Sequence, residues 1–406
     1  MKELTPQMKL LKAQAEKSES RIILLIIDGL GGLPLPENGQ TELETAHTPY
    51  LDSLVKGGIC GMLEPIQPGI TPGSGPAHLA LFGYDPLHFT VGRGVLEALG
   101  IEFPLEESDI VGRMNFASID KSGRLTDRRA GRISSEKGRE LCSLLGQIKK
   151  VDGAEVFAIP VSEYRAALVL RGSDLSDKLS DSDPQALGVT PLEVQPLNPE
   201  ARNTAHMVNE FIARAKEVLS TQHPANMILC RGFGKYSPFP SMKEVYKLRS
   251  AAVVTYPMYK GVARLVGMEL ISTGVKIEEE FNTLRENFHS YDFWFLHIKH
   301  PDSAGEDGDF QRKVALIEEV DQLLPSLTEL KPDVLVVTGD HSTPCTFKAH
   351  SWHTVPIVLS SQWARPDRVE QFNEKECLYG GLGRFPATEL MPLALAHALR
   401  LKKYGA

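Results

Sequence analysis

The sequence lacks long apolar runs and an excess of positive charge, and each absence excludes a class of protein. Among its 406 residues no run reaches about eighteen apolar residues, so we expect no transmembrane helix. The net charge of −8 argues against non-specific binding to nucleic acid or to an anionic membrane. The N-terminal stretch is charged and has no apolar signal core, so we expect no signal peptide.

Cysteine is also scarce, and this bears on the cellular compartment. The five cysteines are far apart and form no CxxC pair; they are Cys60, Cys142, Cys230, Cys345 and Cys377. An odd and scattered set predicts reduced, mostly buried thiols in a cytoplasmic protein, not a disulfide framework or a zinc site. The apolar and charged contents, 42% and 24%, are typical of a soluble globular protein.

The most informative segment is an apolar run that ends in an acid and a histidine. Residues 334–338 are few and β-branched, which favours a buried strand over a helix, and Asp340 and His341 follow them. Ligands bind outside the carboxyl ends of strands in open α/β sheets, so one interpretation of the pair is a metal site. In the other interpretation, the Asp closes a turn and the His ends the strand.

Two further strand ends favour the metal site. Residues 22–27 form a continuous apolar run that ends at Asp28 and is followed by glycines, which allow a ligand to approach the backbone. Residues 291–299 form another run, and Asp302 and Glu306 follow it. Three strands that deliver acids or histidines to the same edge of a sheet predict a metal centre assembled from distant parts of the sequence.

Ser74 is the candidate nucleophile. Proline and glycine dominate residues 68–73, and a helical pattern begins at Ser74. The N-terminus of a helix attracts anions through its unpaired N–H groups and its macrodipole. A serine there, next to metal ions, is suited to attack a phosphoryl group, whereas the alternative is an ordinary N-cap serine.

The order of strands and helices predicts an α/β fold with two domains. Strand–helix alternation in residues 1–105 and 225–406 predicts one domain with a mostly parallel sheet sandwiched by helices. Residues 106–224 have a different pattern of strands and helices, which predicts an inserted α+β domain. Within it, the acidic, Ser-rich segment 174–183 is expected to be a solvated loop.

Four collinear motifs resemble a known family. They are Ile27-Asp28-Gly29, Gly73-Ser74-Gly75, the segment 302–309 and Gly339-Asp340-His341 followed by His350. Together they resemble the alkaline phosphatase superfamily and, within it, the archaeal-type cofactor-independent phosphoglycerate mutases. The similarity runs from about residue 20 to the C-terminus. It implies an alkaline-phosphatase-like fold for the parallel-sheet domain.

The resemblance implies a phosphoserine intermediate at a two-metal centre. Ser74 would accept the phosphoryl group of the substrate and return it to the other hydroxyl of the glycerate. The ligands of one ion would be Asp28, Ser74, Asp340 and His341, and those of the other would be Asp302, Glu306 and His350.

Glu306 departs from the family pattern, which usually has histidine at this position. A carboxylate binds the same metals with a shift toward harder ions, or it points away and weakens the site. The Asp, Ser and His donors suit Mn²⁺ or Zn²⁺, with Co²⁺ and Mg²⁺ as further candidates. The family does not use 2,3-bisphosphoglycerate as a cofactor.

A second set of candidates would bind the substrate. It consists of Asp127, Arg128, Arg129, Arg132, Arg231, Lys235 and Lys260. Arginines hold phosphate and carboxylate groups bidentately. A mutase must hold the glycerate while the phosphoryl group is on the serine, whereas a phosphatase has no such need. In the alternative interpretation these residues belong to solvated basic turns.

These expectations define a function and its alternatives, and they leave the metal identity and the oligomeric state open. The expected function is the interconversion of 3-phosphoglycerate and 2-phosphoglycerate in glycolysis and gluconeogenesis. The partner would then be a phosphorylated small molecule, with no nucleic acid and no membrane. The alternatives are a metal-dependent phosphatase, a mutase of another phosphorylated metabolite, or a catalytically impaired relative that only binds its ligand.

Overall fold

The computed structural model describes residues 2–405, which form two separate β-sheets. The strands are β1 Ile22–Ile27, β2 Ile59–Glu64, β3 Ile110–Ile119, β4 Leu125–Asp127, β5 Lys150–Val151, β6 Ala154–Ser162, β7 Arg165–Arg171, β8 Met227–Lys235, β9 Ser250–Val253, β10 Glu269–Leu270, β11 Phe293–Ile298, β12 Val334–Thr338, β13 Val355–Ser361 and β14 Gly383–Pro386. The α-helices are α1 Pro6–Gln14, α2 Glu42–Thr45, α3 Pro49–Gly57, α4 Ser74–Leu81, α5 Arg93–Gly100, α6 Ser135–Leu145, α7 Arg202–Val218, α8 Met242–Tyr246, α9 Pro257–Leu265, α10 Ile277–Asn287, α11 His300–Asp307, α12 Phe310–Leu323, α13 Pro325–Thr328, α14 Glu374–Cys377 and α15 Leu390–His397. Short 3₁₀ turns occupy Ala130–Arg132, Pro199–Ala201, Phe288–Ser290 and Ala387–Glu389.

The larger of two compact units contains the predicted parallel sheet. It consists of Lys2–Thr90, Phe239–Tyr256 and the residues from Val262 onward. Its eight strands have the order β10-β9-β11-β1-β12-β13-β2-β14. All neighbours are parallel except that β13 runs antiparallel to both β12 and β2. The prediction of a mixed α/β fold with a mostly parallel sheet is therefore confirmed.

The centre of this sheet is apolar on both faces. All six residues of β1 are buried, as expected for a strand with parallel neighbours and covered faces. On one face, Ile23 and Leu25 belong to a core that also contains Val55 of α3, Phe281 of α10 and Ile317 of α12. This burial fixes the strands rigidly, so that the residues after their carboxyl ends have defined positions.

The smaller unit consists of Val91–Pro238 and Pro257–Gly261. Its sheet has the order β4-β3-β7-β6-β5, with β8 paired to β3, and its pairs are antiparallel. One face packs on α6 and α7 through residues such as Leu141 and Phe211. The other face packs on α5, where Val95 and Ala98 meet Val111 of β3.

The boundaries of this unit differ from the predicted 106–224, and the difference is a correction. The sequence predicts that β8 belongs to the parallel sheet, but it pairs antiparallel with β3, so that Cys230 lies opposite Met114. Helix α5 also belongs here, because Gly94 lies so close to Val111 that a Cβ would be 2.8 Å from the Val111 carbonyl oxygen. A local apolar run predicts a strand but does not identify the strand with which it pairs.

All five cysteines are free and buried, which confirms the prediction of unpaired, mostly buried thiols. None of the helices formed by residues 2–405 has both the length and the apolar character needed to cross a membrane.

Candidate functional site

Three neighbouring parallel strands of the larger unit bring the predicted metal ligands together. The strands β11, β1 and β12 lie side by side in the sheet. Asp28 directly follows β1, Asp302 lies in α11 just after β11, and Asp340 follows β12. The carboxyl ends of parallel strands lie at one edge of the sheet. Residues that follow neighbouring strands therefore come close together even when they are far apart in the sequence.

The first group of candidate ligands consists of Asp28, Asp340 and His341. Each offers one potential ligand atom, a carboxylate oxygen or a ring nitrogen, and these three atoms lie within 4.8 Å of one another. All three residues are buried. Nε2 of His341 lies 3.4 Å from Oδ1 of Asp28 and 3.1 Å from Oδ2 of Asp340. This close approach of two carboxylates and an imidazole is what a small cation requires.

Ser74 lies beside this group. Its Oγ is 3.2 Å from Nε2 of His341. Ser74 is the first residue of α4, while the N-cap position belongs to Gly73 and no side chain caps the helix. The interpretation of Ser74 as an ordinary N-cap serine is therefore wrong, and its hydroxyl is directed toward the candidate ligands.

The second group consists of Asp302, His341 and His350. Their donor atoms also lie within 4.8 Å of one another. Nε2 of His350 is 3.5 Å from Oδ1 of Asp302, and the rings of His341 and His350 stack with centroids 3.6 Å apart. His341 thus belongs to both groups, which places the two candidate sites next to each other.

Glu306 lies at the margin of the second group. Its Oε1 is 3.9 Å from Nε2 of His350, and its side chain is 56% exposed. Partial burial and the charge of Asp302 raise the pKa of Glu306 above its usual value. The carboxylate therefore stands near the second group, but outside the set of atoms that lie within 4.8 Å of one another.

We call the carboxylates Asp28, Asp302 and Asp340 the acidic cluster, and two of them, Asp28 and Asp302, pair with the half-buried Lys299. Nζ of Lys299 lies 3.1 Å from Oδ2 of Asp28 and also binds Asp302. Burial raises the pKa of Asp28, but Lys299 and His297 outweigh this effect and hold it well below its usual value. Burial and the neighbouring charge of Asp28 raise the pKa of Asp340 well above its usual value.

The acidic cluster fits divalent cations on the chemistry of its donors. A single lysine charge faces three buried carboxylates, and buried charge is costly unless it is paired. Burial and the charges of Asp28 and Asp302 raise the pKa of Asp340, so the negative charge of the cluster is electrostatically unfavourable without a cation. Oxygen and imidazole donors together are suited to Mn²⁺ or Zn²⁺.

In the smaller unit, two of the predicted substrate-binding residues share one buried acid. Nε and Nη2 of Arg128 donate to the two carboxylate oxygens of Asp183 at 2.7 and 2.6 Å. Nη1 of Arg231 lies 3.6 Å from Oδ2 of the same residue. We call Arg128, Arg231 and Asp183 the arginine cluster. Burial raises the pKa of Asp183, but Arg128 outweighs this effect and the pKa lies below its usual value.

The other predicted substrate-binding residues have different environments. Asp127 accepts hydrogen bonds from the backbone N–H groups of Arg129 and Gly131, and so closes its own turn. Arg129, Arg132 and Lys235 are exposed and Lys260 is half-buried. Within residues 2–405, no hydrogen bond or ion pair joins any of these four cations to the arginine cluster.

Sequence reasoning missed Asp183, since segment 174–183 was expected to be a solvated loop. Instead, Asp183 is buried, Asp181 accepts a hydrogen bond from the N–H of Gly232, and Asp177 accepts one from the N–H of Lys235. The acids of this segment are visible in the sequence, but the basic residues and the strand end that they face are not. The pairing partners are too distant in sequence for a local pattern to reveal them.

A third group of potential ligands, Asp152, His206 and Glu210, lies on the surface of the smaller unit. Its side chains are substantially exposed, and Glu210 already pairs with Arg214. Water already solvates such exposed side chains, and exposed acidic groups are common without a bound ion.

A family model and curated relatives point to the same family. A family model described as 2,3-bisphosphoglycerate-independent phosphoglycerate mutase matches residues 56–226. A curated protein from Thermosipho melanesiensis, named "Probable 2,3-bisphosphoglycerate-independent phosphoglycerate mutase", is 50% identical over 390 residues and covers 96% of each chain. A protein of the same name from Thermus thermophilus is 47% identical over 400 residues, with 98% of each chain covered.

Solved structures extend this similarity to the fold. A protein from Pyrococcus horikoshii has a TM-score of 0.82 at 31% identity and covers 95% of this chain and 99% of its own. The cofactor-independent phosphoglycerate mutase from Thermoplasma acidophilum has a TM-score of 0.71 at 31% identity, with 93% of this chain and 100% of its own covered.

Proposed function

Because the chain belongs to the 2,3-bisphosphoglycerate-independent phosphoglycerate mutase family, we propose that it interconverts 3-phosphoglycerate and 2-phosphoglycerate through a phosphoserine at Ser74. The observation that carries this proposal is the position of Ser74. Its hydroxyl lies at the start of α4, 3.2 Å from Nε2 of His341. The helix N-terminus favours the negative charge of a phosphoryl group at this position.

Two divalent cations would be held by the residues that the strand ends deliver. We propose Asp28, Ser74, Asp340 and His341 for one ion and Asp302, Glu306 and His350 for the other. Mn²⁺ or Zn²⁺ are the first candidates, followed by Co²⁺ and Mg²⁺. Such ions, when bound, lower the pKa of a serine hydroxyl and stabilise negative charge on phosphoryl oxygens.

The reaction needs two displacements at the same serine. In the first, the hydroxyl of Ser74 loses its proton and a bond forms between its Oγ and phosphorus while the bond from phosphorus to the substrate oxygen breaks, and that oxygen takes up a proton. In the second, the other hydroxyl of the glycerate loses its proton and its oxygen forms a bond to phosphorus while the bond from phosphorus to Oγ of Ser74 breaks, and Oγ takes up a proton. Ser74 is half-buried beside the fully buried His341, and the phosphoserine persists only if water is kept from it during the reaction.

The glycerate must be retained between the two displacements, and we propose that the arginine cluster retains it. Asp183 occupies the Nε–Nη2 edge of Arg128, so that the remaining N–H groups of the guanidinium stay available for a carboxylate or phosphate. Asp127, Arg129, Arg132, Lys235 and Lys260 are proposed as further contacts on the basis of the resemblance alone.

An enolase-coupled assay of 3-phosphoglycerate conversion tests the proposal. We expect turnover in the wild type with Mn²⁺ or Zn²⁺, and no turnover in Ser74→Ala. Conversion by Ser74→Ala would overturn the phosphoserine mechanism. Release of inorganic phosphate without isomerisation would indicate a phosphatase, and tight binding of 3-phosphoglycerate without turnover in any of the four metals would indicate an impaired relative.

The location and partners follow from this function. We propose a phosphorylated small molecule as the partner and the cytoplasm as the compartment, since glycolytic substrates occur there. The free state of the five buried thiols is compatible with that compartment.

A further inference from the structure

Thr343 lies between the two groups of candidate ligands. It is fully buried in the loop that follows β12. Its Oγ1 donates a hydrogen bond to Oδ1 of Asp302 at 2.7 Å. The same oxygen is 2.9 Å from Nδ1 of His341. One hydroxyl therefore touches a member of each group.

The number of protons on these atoms determines the direction of both hydrogen bonds. A carboxylate oxygen only accepts, so the single hydroxyl proton of Thr343 goes to Asp302. The hydroxyl oxygen then accepts the N–H of His341 at Nδ1. A neutral imidazole with its proton on Nδ1 has its lone pair on Nε2.

Nε2 is the nitrogen that faces the other candidate ligands. It lies 3.4 Å from Oδ1 of Asp28 and 3.1 Å from Oδ2 of Asp340. It also lies 3.2 Å from Oγ of Ser74, from which it can accept a hydrogen bond. The hydroxyl of Thr343 thus selects the tautomer that presents a lone pair toward the serine and the carboxylates.

The backbone of Thr343 is held on both sides. Its N–H donates to the carbonyl of Gly31, in the loop after β1, at 3.0 Å. The fully buried Lys313 donates to the carbonyls of Thr343 at 2.9 Å and Gly31 at 3.2 Å. Gly305 permits this packing, because a Cβ there would lie 2.3 Å from the Thr343 carbonyl oxygen. The hydroxyl therefore has a fixed position between its two partners.

We propose that Thr343 is a positioning residue that fixes the tautomer of His341 and links the two candidate metal sites through Asp302. This inference rests on the proposed function, since it takes His341 and Asp302 as ligands. Side chains that orient a metal ligand in this way typically change the metal affinity about 10- to 100-fold when they are removed.

Titration calorimetry with Mn²⁺ tests the effect on affinity. Thr343→Val keeps the shape of the side chain without the hydroxyl, and it should weaken Mn²⁺ binding by about tenfold or more. Thr343→Ser retains the hydroxyl and should restore binding to within about twofold. Thr338→Val is the matched control, because the buried Thr338 hydroxyl donates to the Pro356 carbonyl and not to a candidate ligand. It should bind Mn²⁺ like the wild type.

Nitrogen-15 NMR of the histidine side chains in the metal-free full chain reads the tautomer directly. The His341 signals are assigned by their loss in His341→Asn. They should show the proton on Nδ1 in the wild type and a mixture of the Nδ1-protonated and Nε2-protonated tautomers in Thr343→Val. A wild-type proton on Nε2, or unchanged Mn²⁺ affinity in Thr343→Val, would overturn the proposal. If Thr343→Val does not fold, the wild-type spectrum alone still shows whether the proton of His341 is on Nδ1, as the proposal requires.

These outcomes are separable from those of the proposed function. A wild type that binds Mn²⁺ but does not convert 3-phosphoglycerate contradicts the mutase and leaves the role of Thr343 intact. If the wild type converts 3-phosphoglycerate but Thr343→Val retains full Mn²⁺ affinity, the mutase activity stands and the role proposed for Thr343 is contradicted.

Discussion

The acidic cluster and the arginine cluster balance their charges in opposite ways. In the larger unit, the carboxylates of Asp28, Asp302 and Asp340 are at most 1% exposed and outnumber the lysine charge beside them. In the smaller unit, two arginines with 28% exposed side chains surround one buried aspartate. The first cluster has an excess of buried negative charge, which suits cations. The second has an excess of accessible positive charge, which suits anions.

The largest expected effect comes from removing a charge in the acidic cluster. Asp340→Asn should lower kcat/KM for 3-phosphoglycerate by more than about a hundredfold, because it removes a carboxylate that we propose as a ligand of the first ion. The same change should make the metal-free protein more stable by about 1 kcal/mol, since an amide is neutral without taking up a proton, whereas Asp340 must bind one to become neutral at pH 7. Coupled assays and urea denaturation in EDTA measure the two effects.

The sign of the stability change follows from the raised pKa of Asp340. An acid whose pKa is higher in the folded than in the unfolded state reduces stability at neutral pH, and the reduction disappears as the pH falls below its unfolded value. Asparagine does not titrate and avoids this cost. A metal-free Asp340→Asn protein that is less stable than the wild type would contradict the interpretation of the cluster as electrostatically unfavourable without cations.

The same substitution in the arginine cluster should have the opposite effect on stability. Asp183→Asn leaves Arg128 and Arg231 without their carboxylate, so the free energy of unfolding should fall by about 1–3 kcal/mol. The KM for 3-phosphoglycerate should rise about tenfold, because the guanidinium of Arg128 loses its orientation. Mn²⁺ affinity, measured by calorimetry, should not change.

Asp174→Asn is the matched control for this prediction. Asp174 is an exposed acid of the same segment, and its substitution removes the same charge from the protein without touching either arginine. It should leave KM unchanged and should change the free energy of unfolding by no more than about 0.5 kcal/mol, as is usual for surface substitutions. Equal changes in KM for the two variants would mean that net charge, and not the orientation of Arg128, determines substrate affinity.

The pH dependence of stability should also differ between Asp183 and Asp340, because the folded protein shifts their pKa values in opposite directions. Its pKa is lower in the folded protein, so its contribution is complete above the unfolded pKa and is lost as the pH falls through the folded value. The stability difference between the wild type and Asp183→Asn should therefore be constant from about pH 5 to 7 and shrink below about pH 4. Urea denaturation across this range measures it, and a difference that grows toward acid would contradict the ion pair.

The sequence predicts the acidic cluster well because its parts are local signals. Each of Asp28, Asp302 and Asp340 follows closely on a short apolar run, and parallel strands bring such ends to one edge of the sheet. The pairing of β8 was not predictable in this way. Its apolar residues fit either sheet, and only the pairing with β3 places it in the smaller unit.

The supporting contacts of both sites lie beyond what local patterns contain. Thr343 is one of several small polar residues after β12, and its role depends on the distance from its hydroxyl to Asp302. Asp183 is one of several acids in the segment 174–183, and its role depends on Arg128, which is 55 residues away along the chain. Hydrogen bonds between distant segments are set by the packed fold, and a single sequence provides no periodicity that encodes them.

The smallest expected effect concerns Glu306, which lies at the margin of the second group of candidate ligands. It tests which metal ion that group prefers. Glu306→His replaces a carboxylate by an imidazole 3.9 Å from His350, and should shift the ratio of Zn²⁺ to Mn²⁺ affinity about threefold toward Zn²⁺. The effect is small because the side chain is half exposed. Asp307→His, at a neighbouring exposed acid that pairs with Arg312, should leave the ratio unchanged. An unchanged ratio in Glu306→His as well would place Glu306 outside the ligand set, and the second ion would then depend on Asp302 and His350.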